Sequence, residues 1–367
     1  MEAYLDHAAT TPLRPVAREA MLAWLGGRHG NPSGVHRPAR SARTAVEEAR
    51  DEVAELLGCR PGEVVFTSGG TEADNLAVHG RGGGGTGPLA CSAIEHHAVL
   101  EPVRAAGGTT VPVGADGVVD VAAVPADARF VSVMLVNNEI GVVQPLGAVR
   151  EAAPDAVLHT DAVQAVTWLD VAAEAAPADL VSVSAHKFGG PQGTGALVVR
   201  AATAVHPQLL GGGQERERRS GTPNVAGIVG MAAALRACHE ERAATVRRLA
   251  ALRDRLVDGL LATVPASVET GSRATKVAGI GSVAFDGVDA EALLVLLDRA
   301  GVSASAGASC ASGALEASHV LAALGVPPAC GRGALRLSLG WDTQVAEVDH
   351  ALEVVPAAVA RLRRYEP

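Results

Sequence analysis

Aromatic side chains are scarce: two Tyr, four Phe and three Trp stand among 367 residues, although 48% of the chain is apolar. Any core must therefore be built mainly from Ala, Val and Leu, which favours a compact α/β body. No uninterrupted apolar run reaches the length of about 18 residues needed to span a membrane. The opening Met1-Glu2-Ala3-Tyr4-Leu5-Asp6 also lacks the basic-then-apolar pattern of an export signal. No membrane partner is expected, and a cytoplasmic location is. Positive charge is in deficit, with a formal net charge of −9, which removes the electrostatic basis for direct nucleic-acid binding by the body as a whole. No Cys-x-x-Cys pair occurs among Cys59, Cys91, Cys238, Cys310 and Cys330. The odd count and wide spacing exclude a disulfide framework and a zinc knuckle, and no resident metal is expected. Four of the five read as small buried hydrophobes. Cys310 differs, because Ser305-Ala306-Gly307-Ala308-Ser309-Cys310-Ala311-Ser312-Gly313 is a run of small residues suited to a loop.

What is present is an alternation of short apolar runs with helical patterns. Residues 63–67, 88–92, 130–136, 156–159, 180–183 and 196–199 read as strands, and 71–78 and 97–105 as helices between them. That order implies a doubly wound, mostly parallel sheet. Val46, Ala49, Val53 and Leu56 share one face of a helix over about 36–57. From residue 224 the pattern changes to a long Ala-, Arg- and Leu-rich helix, a strand at 280–285, a helix at 290–300, the small-residue loop, a strand at 335–339 and a final helix. This reads as a smaller α+β domain joined through the long helix. The glycines at 82–85 lack both the P-loop ending and the dinucleotide-binding spacing, and read as a connection.

The most informative stretch is Ser184-Ala185-His186-Lys187-Phe188-Gly189-Gly190-Pro191. A lysine at the carboxyl end of an interior parallel strand points into the crevice where open α/β folds bind ligands. It can serve there as a Schiff-base lysine for pyridoxal phosphate; a surface amine snorkelling from a strand end is the ordinary alternative. Such a cofactor also needs a carboxylate for its ring nitrogen, donors for its phosphate and a flat group on its face. Asp161, ending the run 156–161, supplies the carboxylate, unless it merely caps a helix. Gln164 is placed to reach the ring's phenolic oxygen. Thr67-Ser68-Gly69-Gly70-Thr71-Glu72 closes a strand and opens a helix, so its amides and the Thr71 hydroxyl suit a phosphate, with Ser184 and His186 completing the cradle. His96 is the stacking candidate, Asn138 an amide needing partners, and Arg336 a bidentate receptor for a substrate carboxylate. Taken singly, each has an ordinary structural account; together they match one cofactor.

The set Tyr4-Leu5-Asp6-His7-Ala8-Ala9-Thr10-Thr11-Pro12, Gly30-Asn31-Pro32-Ser33, residues 67–75, Glu95-His96, residues 136–143, 159–164 and 184–191, Gly211-Gly212-Gly213-Gln214-Glu215, Arg219-Ser220-Gly221-Thr222, residues 305–313 and 335–340 occurs in one order. It closely resembles the cysteine desulfurases of the iron–sulfur-cluster-assembly type, in the class V aminotransferase branch of the fold-type-I pyridoxal-phosphate enzymes. The resemblance implies a large domain (14–250) with a seven-stranded type of sheet, and a small domain (1–13 with 251–367) carrying the Cys310 loop. It implies that Lys187 holds the cofactor as an imine and His96 stacks on the ring, with Asp161 and Gln164 at its nitrogen and phenolic oxygen. Gly70, Thr71, Ser184 and His186 would bind the phosphate. Thr222 would reach it from the neighbouring subunit, which makes a homodimer with a shared active site the expected unit. Asn138, Arg336 and Asn31 would bind L-cysteine. Cys310 would take the sulfur as a persulfide, leaving alanine, and pass it to an acceptor such as an iron–sulfur scaffold or a thiolation enzyme; it is also the residue that would make any transient iron–sulfur contact. The alternative within the resemblance is a selenocysteine lyase, or another class V enzyme without the persulfide step. The family's loop usually reads Ser-Ser-Gly-Ser-Ala-Cys-Thr; here hydroxyls are lost and one is moved, while the cysteine keeps its place. The run 215–219 is expected to be an exposed, salt-bridged turn.

Overall fold

The computed structural model describes residues 2–80, 87–306 and 318–364. The expected connection at 82–85 and Cys310 with its neighbours at 307–317 lie outside the described residues. The first half of the chain runs β1 (Ala3–Tyr4), α1 (Pro15–Leu25), α2 (Arg37–Leu56), β2 (Val64–Thr67), α3 (Gly70–Gly80), β3 (Leu89–Ser92), α4 (His97–Ala105), β4 (Thr109–Val111), β5 (Phe130–Ser132), α5 (Leu146–Ala152), β6 (Val157–Asp161), α6 (Val171–Glu174), β7 (Leu180–Ser184) and β8 (Gly195–Val199). There follow α7 (Val225–Thr263), β9 (Ser267–Glu269), β10 (Ile280–Phe285), α8 (Ala290–Arg299), β11 (Val302–Ser303), β12 (Ser305–Ala306), α9 (His319–Ala323), α10 (Pro328–Gly331), β13 (Ala334–Ser338) and α11 (Val345–Arg363).

Seven strands form one sheet in the order β2-β8-β7-β6-β5-β3-β4. The five from β7 to β4 are mutually parallel, and β8 is antiparallel to both its neighbours. Thus β7, expected to lie between parallel partners, is parallel to β6 alone. Its residues, Ser182 and Ser184 included, are buried on both faces, as expected of an interior strand. The expected strand at 130–136 is regular only to Ser132. Beyond it, the Val133 and Leu135 amides still donate to His159 and Asp161, but Val136 turns to bridge Val143. Amphipathic α2 buries Val46, Ala49, Val53 and Leu56 against this layer. The chain leaves it through Gly58 at φ +64°, where a Cβ would stand 2.8 Å from that of Ala172. Only glycine suits that place.

A second sheet, β12-β13-β10-β9, is antiparallel throughout. The amino-terminal segment belongs to this side: β1 pairs with β11, and Asp6 bridges Ser338. Helix α7 spans both cores, with Ile228, Met231 and Leu235 in the first, and Leu249, Leu256 and Leu260 in the second. Of the thiols, Cys91 and Cys238 are buried as expected, whereas Cys59 and Cys330 are partly exposed.

The run 215–219 also departs from expectation. Its ion pairs exist, but Glu215 is buried, not exposed. Its carboxylate accepts from Arg50 Nη2 at 2.8 Å and Nη1 at 2.9 Å, and from the Phe66 amide at 2.9 Å. Glu215, Arg216 and Glu217 all have positive φ, 50°, 55° and 64°, a conformation that costs on the order of 1–2 kcal/mol per residue. The doubly bonded, buried ion pair holds the chain there. Arg50→Ala or Glu215→Ala alone should lower stability by about 3–5 kcal/mol in urea unfolding, because each leaves a buried charge unpaired. The double replacement Arg50→Met with Glu215→Leu should recover most of that loss.

Candidate active site

The parallel strands of the larger sheet end around a cavity of about 270 Å³. Lys187 follows β7 on a short 3-10 turn and lines this cavity. Its Nζ donates to the carbonyls of Ala8 at 2.6 Å and Ala9 at 2.8 Å. The turn is set by Gly189 at φ +88°, where a Cβ would lie 2.5 Å from Arg14 Cγ. A surface lysine snorkelling into water is not what the fold builds.

Asp161 ends β6 and also lines the cavity. One oxygen accepts the Val163 amide at 2.8 Å, but no helix begins there, since α6 starts at Val171. Burial pushes its pKa up to about 6, against the lowering influence of that amide and of Lys187. Gln164 donates from Nε2 to Ala8 O at 2.7 Å on the same wall. Two further carboxyl groups, not marked in the sequence, stand behind Asp161. Asp74 on α3 lines the cavity and is 1% exposed; its Oδ1 lacks a hydrogen-bond partner and lies 3.6 Å from His159 Nε2. Glu95 is fully buried; Oε1 accepts the Met134 amide at 2.5 Å, and Oε2 lacks a partner. Burial, then the charge of Asp161, raises both well above the carboxylate range. His159 holds hydroxyls on both ring nitrogens, Ser132 at 2.8 Å and Ser182 at 3.0 Å. Burial lowers its pKa to about 3, so the ring is neutral.

At the other end of the cavity α3 begins at Gly70, with Thr71, Ser184 and His186 beside it. A Cβ on Gly70 would stand 2.8 Å from Val163 Cγ2, and one on Gly195 would stand 2.8 Å from Gly69 Cα. The turn is thus packed too closely for side chains, which leaves its amides as the donors. His186 bonds Thr10 Oγ1 through Nδ1 at 3.1 Å, and burial first, then Lys187, lowers it to about 4. His96 caps α4, its Nδ1 accepting the Ala98 amide at 3.1 Å. Burial and then Lys187 lower it to about 4, so the ring is neutral and carries its proton on Nε2.

Asn138 and Arg336 line the remaining wall. Arg336, 3% exposed, is no surface cation: Nη2 pairs with Asp6 Oδ1 at 2.8 Å and Nη1 donates to Asn138 O at 3.0 Å. Two expected residues are not brought to this cavity by their own chain. Thr222 is exposed just before α7, and Asn31 is exposed with Oδ1 accepting the Ser33 amide at 3.0 Å. Cys310 lies outside the described residues.

These residues fit pyridoxal phosphate. A lysine amine, a buried carboxylate with one oxygen still open to a cation, a tight glycine turn at a helix N-terminus and a neutral imidazole surround one volume. Asp161 is the telling member, because a desolvated carboxylate with a raised pKa needs a cation more than the fold itself supplies.

The aminotransferase class-V family model matches residues 3–351. The chain is 44% identical to an "IscS-like cysteine desulfurase" of Mycobacterium tuberculosis, over 99% of this chain and 97% of that protein. It is 39% identical to "Cysteine desulfurase IscS" of Dictyoglomus turgidum, over 100% of this chain and 96% of that one. Among solved structures, a "NifS-like protein" superposes with a TM-score of 0.91 at 32% identity, covering 98% of this chain and 100% of the other. DndA from Streptomyces lividans gives 0.74 at 35% identity, over 91% and 99%.

Asp161→Asn should separate holding the cofactor from stability. Its carboxyl is raised in the folded state, so the folded form binds the proton more tightly than the unfolded one, and stability falls as pH rises through about 6. The cofactor-free Asp161→Asn protein should therefore melt higher than wild type at pH 8, with a smaller gap at pH 5. The same variant should bind pyridoxal phosphate more weakly in equilibrium dialysis.

Proposed function

The chain belongs to the class-V aminotransferase family, among its cysteine desulfurases, and on that premise we propose that it converts L-cysteine to L-alanine using pyridoxal phosphate, with Cys310 as the sulfur carrier. The observation that carries the reading is the meeting in one cavity of the Lys187 amine, the buried Asp161 carboxylate and the paired Arg336 guanidinium. When bound, the cofactor supplies an electron sink for the pair released at the substrate's α- and β-carbons.

The chain's own residues do the rest. Lys187 holds the cofactor, and its amine, steadied by the Ala8 and Ala9 carbonyls, moves a proton at the substrate's α-carbon. Asp161 would keep the ring nitrogen protonated, and Gln164 would serve the phenolic oxygen. Gly70, Thr71, Ser184 and His186 hold the phosphate. His96 would cover the ring face, where a neutral imidazole would not repel the ring cation. Asn138 and Arg336 take the substrate carboxylate and so aim its side chain. The Cys310 thiolate attacks the substrate sulfur: the Cβ–S bond breaks, an S–S bond forms, and Cβ takes a proton to become the methyl group of alanine.

Both described ends of the 307–317 stretch support that role for Cys310. Ser305 pairs with Arg336 across β12 and β13, and Ser318 donates to Glu139, the neighbour of Asn138, at 2.5 Å. Residue 310 is four residues from Ala306, within roughly 14 Å of it by chain length alone. The proposed unit is a homodimer. Leu25, Val35 and Leu210 are 67%, 83% and 83% exposed, apolar surface that a second chain would cover. They lie in the two stretches that carry Asn31 and Thr222, which in such a dimer would complete the partner's site. No helix among the described residues is long and apolar enough to cross a membrane, in keeping with a reaction in the cytoplasm that delivers sulfur to an iron–sulfur scaffold or a thiolation enzyme.

Cys310→Ala should abolish alanine formation from L-cysteine while leaving the cofactor's absorbance band intact; a variant that still makes alanine at the wild-type rate would remove the persulfide step. Borohydride reduction of the holoenzyme followed by peptide mapping should place the cofactor on Lys187.

A further inference from the structure

We infer that Asp6 is a positioning residue for Arg336, fixing the guanidinium that discriminates a substrate carrying a carboxylate from one that lacks it. This rests on the reading of Arg336 given above. Arg336 sits in the middle of β13 and is almost wholly buried, so its charge must be balanced within the protein. Among the described residues, Asp6 is the one carboxylate within ion-pair distance, at 2.8 Å. The second strut is the carbonyl of Asn138, at 3.0 Å from Nη1. Two fixed acceptors on different nitrogens define the plane of the fork, and Nε remains buried with no hydrogen-bond partner. Arg336 also lines the cavity. That is a pre-oriented receptor with donor capacity to spare.

Asp6 is itself held from three sides. Its backbone bridges Ser338, two residues along the strand from Arg336. Its carbonyl accepts the Ala9 amide at 3.0 Å, next to the Lys187 contact. Its Oδ1 also accepts the hydroxyl of Ser305 at 2.9 Å, and Ser305 is the register partner of Arg336. The other acid near this arginine, Glu139, is engaged by Ser318 instead. A carboxylate so anchored transmits the geometry of three strands to one side chain. Without it the guanidinium keeps a single neutral strut and swings, and a carboxylate entering the cavity must order it first.

The test compares L-cysteine with cysteamine, the same thiol and amine without the carboxylate. Half-saturating concentrations are read from the absorbance of the holoenzyme's cofactor, and melting temperature and bound cofactor report folding. Arg336→Ala should raise the value for L-cysteine and leave that for cysteamine unchanged. Asp6→Ala should raise the L-cysteine value about tenfold, the loss of one charge-assisted bond's worth of ordering, again without moving cysteamine. Asp6→Asn, whose amide oxygen still accepts, should fall between, and Ser305→Ala should shift L-cysteine slightly in the same sense. If Asp6→Ala does not retain the cofactor, the Asn and Ser305 variants decide by the same comparison. The inference is overturned if the Asp6 variants bind L-cysteine as wild type does while Arg336→Ala does not, or if they weaken both amines alike. Should Arg336→Ala fail to separate the two amines, the carboxylate reading itself falls, and the inference with it.

Discussion

The contact on which the site depends is the Lys187 amine against the carbonyls of Ala8 and Ala9. It joins two parts of the chain that pack into different cores. Lys187 is carried by the end of the seven-stranded sheet, whereas the segment before residue 8 pairs with β11 in a two-stranded ribbon and bridges β13 of the smaller sheet at Ser338. Where these meet, the amino-terminal segment closes one side of the cavity, and Gln164 adds a third bond to Ala8. An amine in so confined a place needs oxygen acceptors if it is to remain charged. Backbone carbonyls provide them without adding a carboxylate that would compete for the amine. The same contacts hold the amine at the wall of the cavity, where an aldehyde could meet it.

Much of this was legible in the residues. Lys187, Asp161, Gln164, Gly70, Thr71, His96, Asn138, Ser184, His186 and Arg336 all line one cavity; Asp161 and Lys187 stand at the carboxyl ends of β6 and β7, positions that pattern locates, whereas Arg336 stands mid-strand in the antiparallel sheet. What pattern could not locate is of two kinds. Asp6, Ala8 and Ala9 come from the other end of the chain, and nothing local in Tyr4-Leu5-Asp6-His7-Ala8-Ala9 says that it returns to a strand more than 300 residues on. Asp74 and Glu95 lie on a helix and a turn, where acids are usually solvated; their burial is a property of the layers above them. The same cause explains Glu215, which reads as one more charge in a surface run and proves to be the buried partner of Arg50. The signal that could have pointed to it is the Gly211-Gly212-Gly213 run just before it, a stretch of backbone free to turn sharply.

The strand errors have a related origin. Residues 130–136 are apolar apart from Ser132, and periodicity alone does not show where a neighbour ends. β3 stops at Ser92, so β5 loses its partner on that side after Ser132 and the chain is released to form the turn that presents Asn137 and Asn138. Asn137 then spends its side chain on that turn, accepting the Glu139 and Ile140 amides and donating to Ile94 O. Of the adjacent pair of amides, one builds the turn, and only Asn138 lines the cavity.

The distribution of charge within the cavity argues for the kind of ligand it takes. One pole is acidic: Asp161, with Asp74 and Glu95 behind it, all buried. These three cannot all ionise in so dry a place, and burial together with the charge of Asp161 raises Asp74 and Glu95 well above the carboxylate range. Negative charge in this cluster therefore settles on Asp161, raised only to about 6. The opposite features are the N-terminus of α3, the tight glycine turn and the Arg336 fork, all suited to anions. A ligand complementary to both must carry a cation on one edge and anions on the others. A protonated pyridine bearing a phosphate, joined to an amino acid that keeps its carboxylate, has that arrangement, whereas a substrate with anions alone leaves Asp161 without a partner. The buried acids therefore act as more than a burden on stability. In the proposed reaction they would set the cofactor's protonation state, and with it the capacity of the site to accept an electron pair.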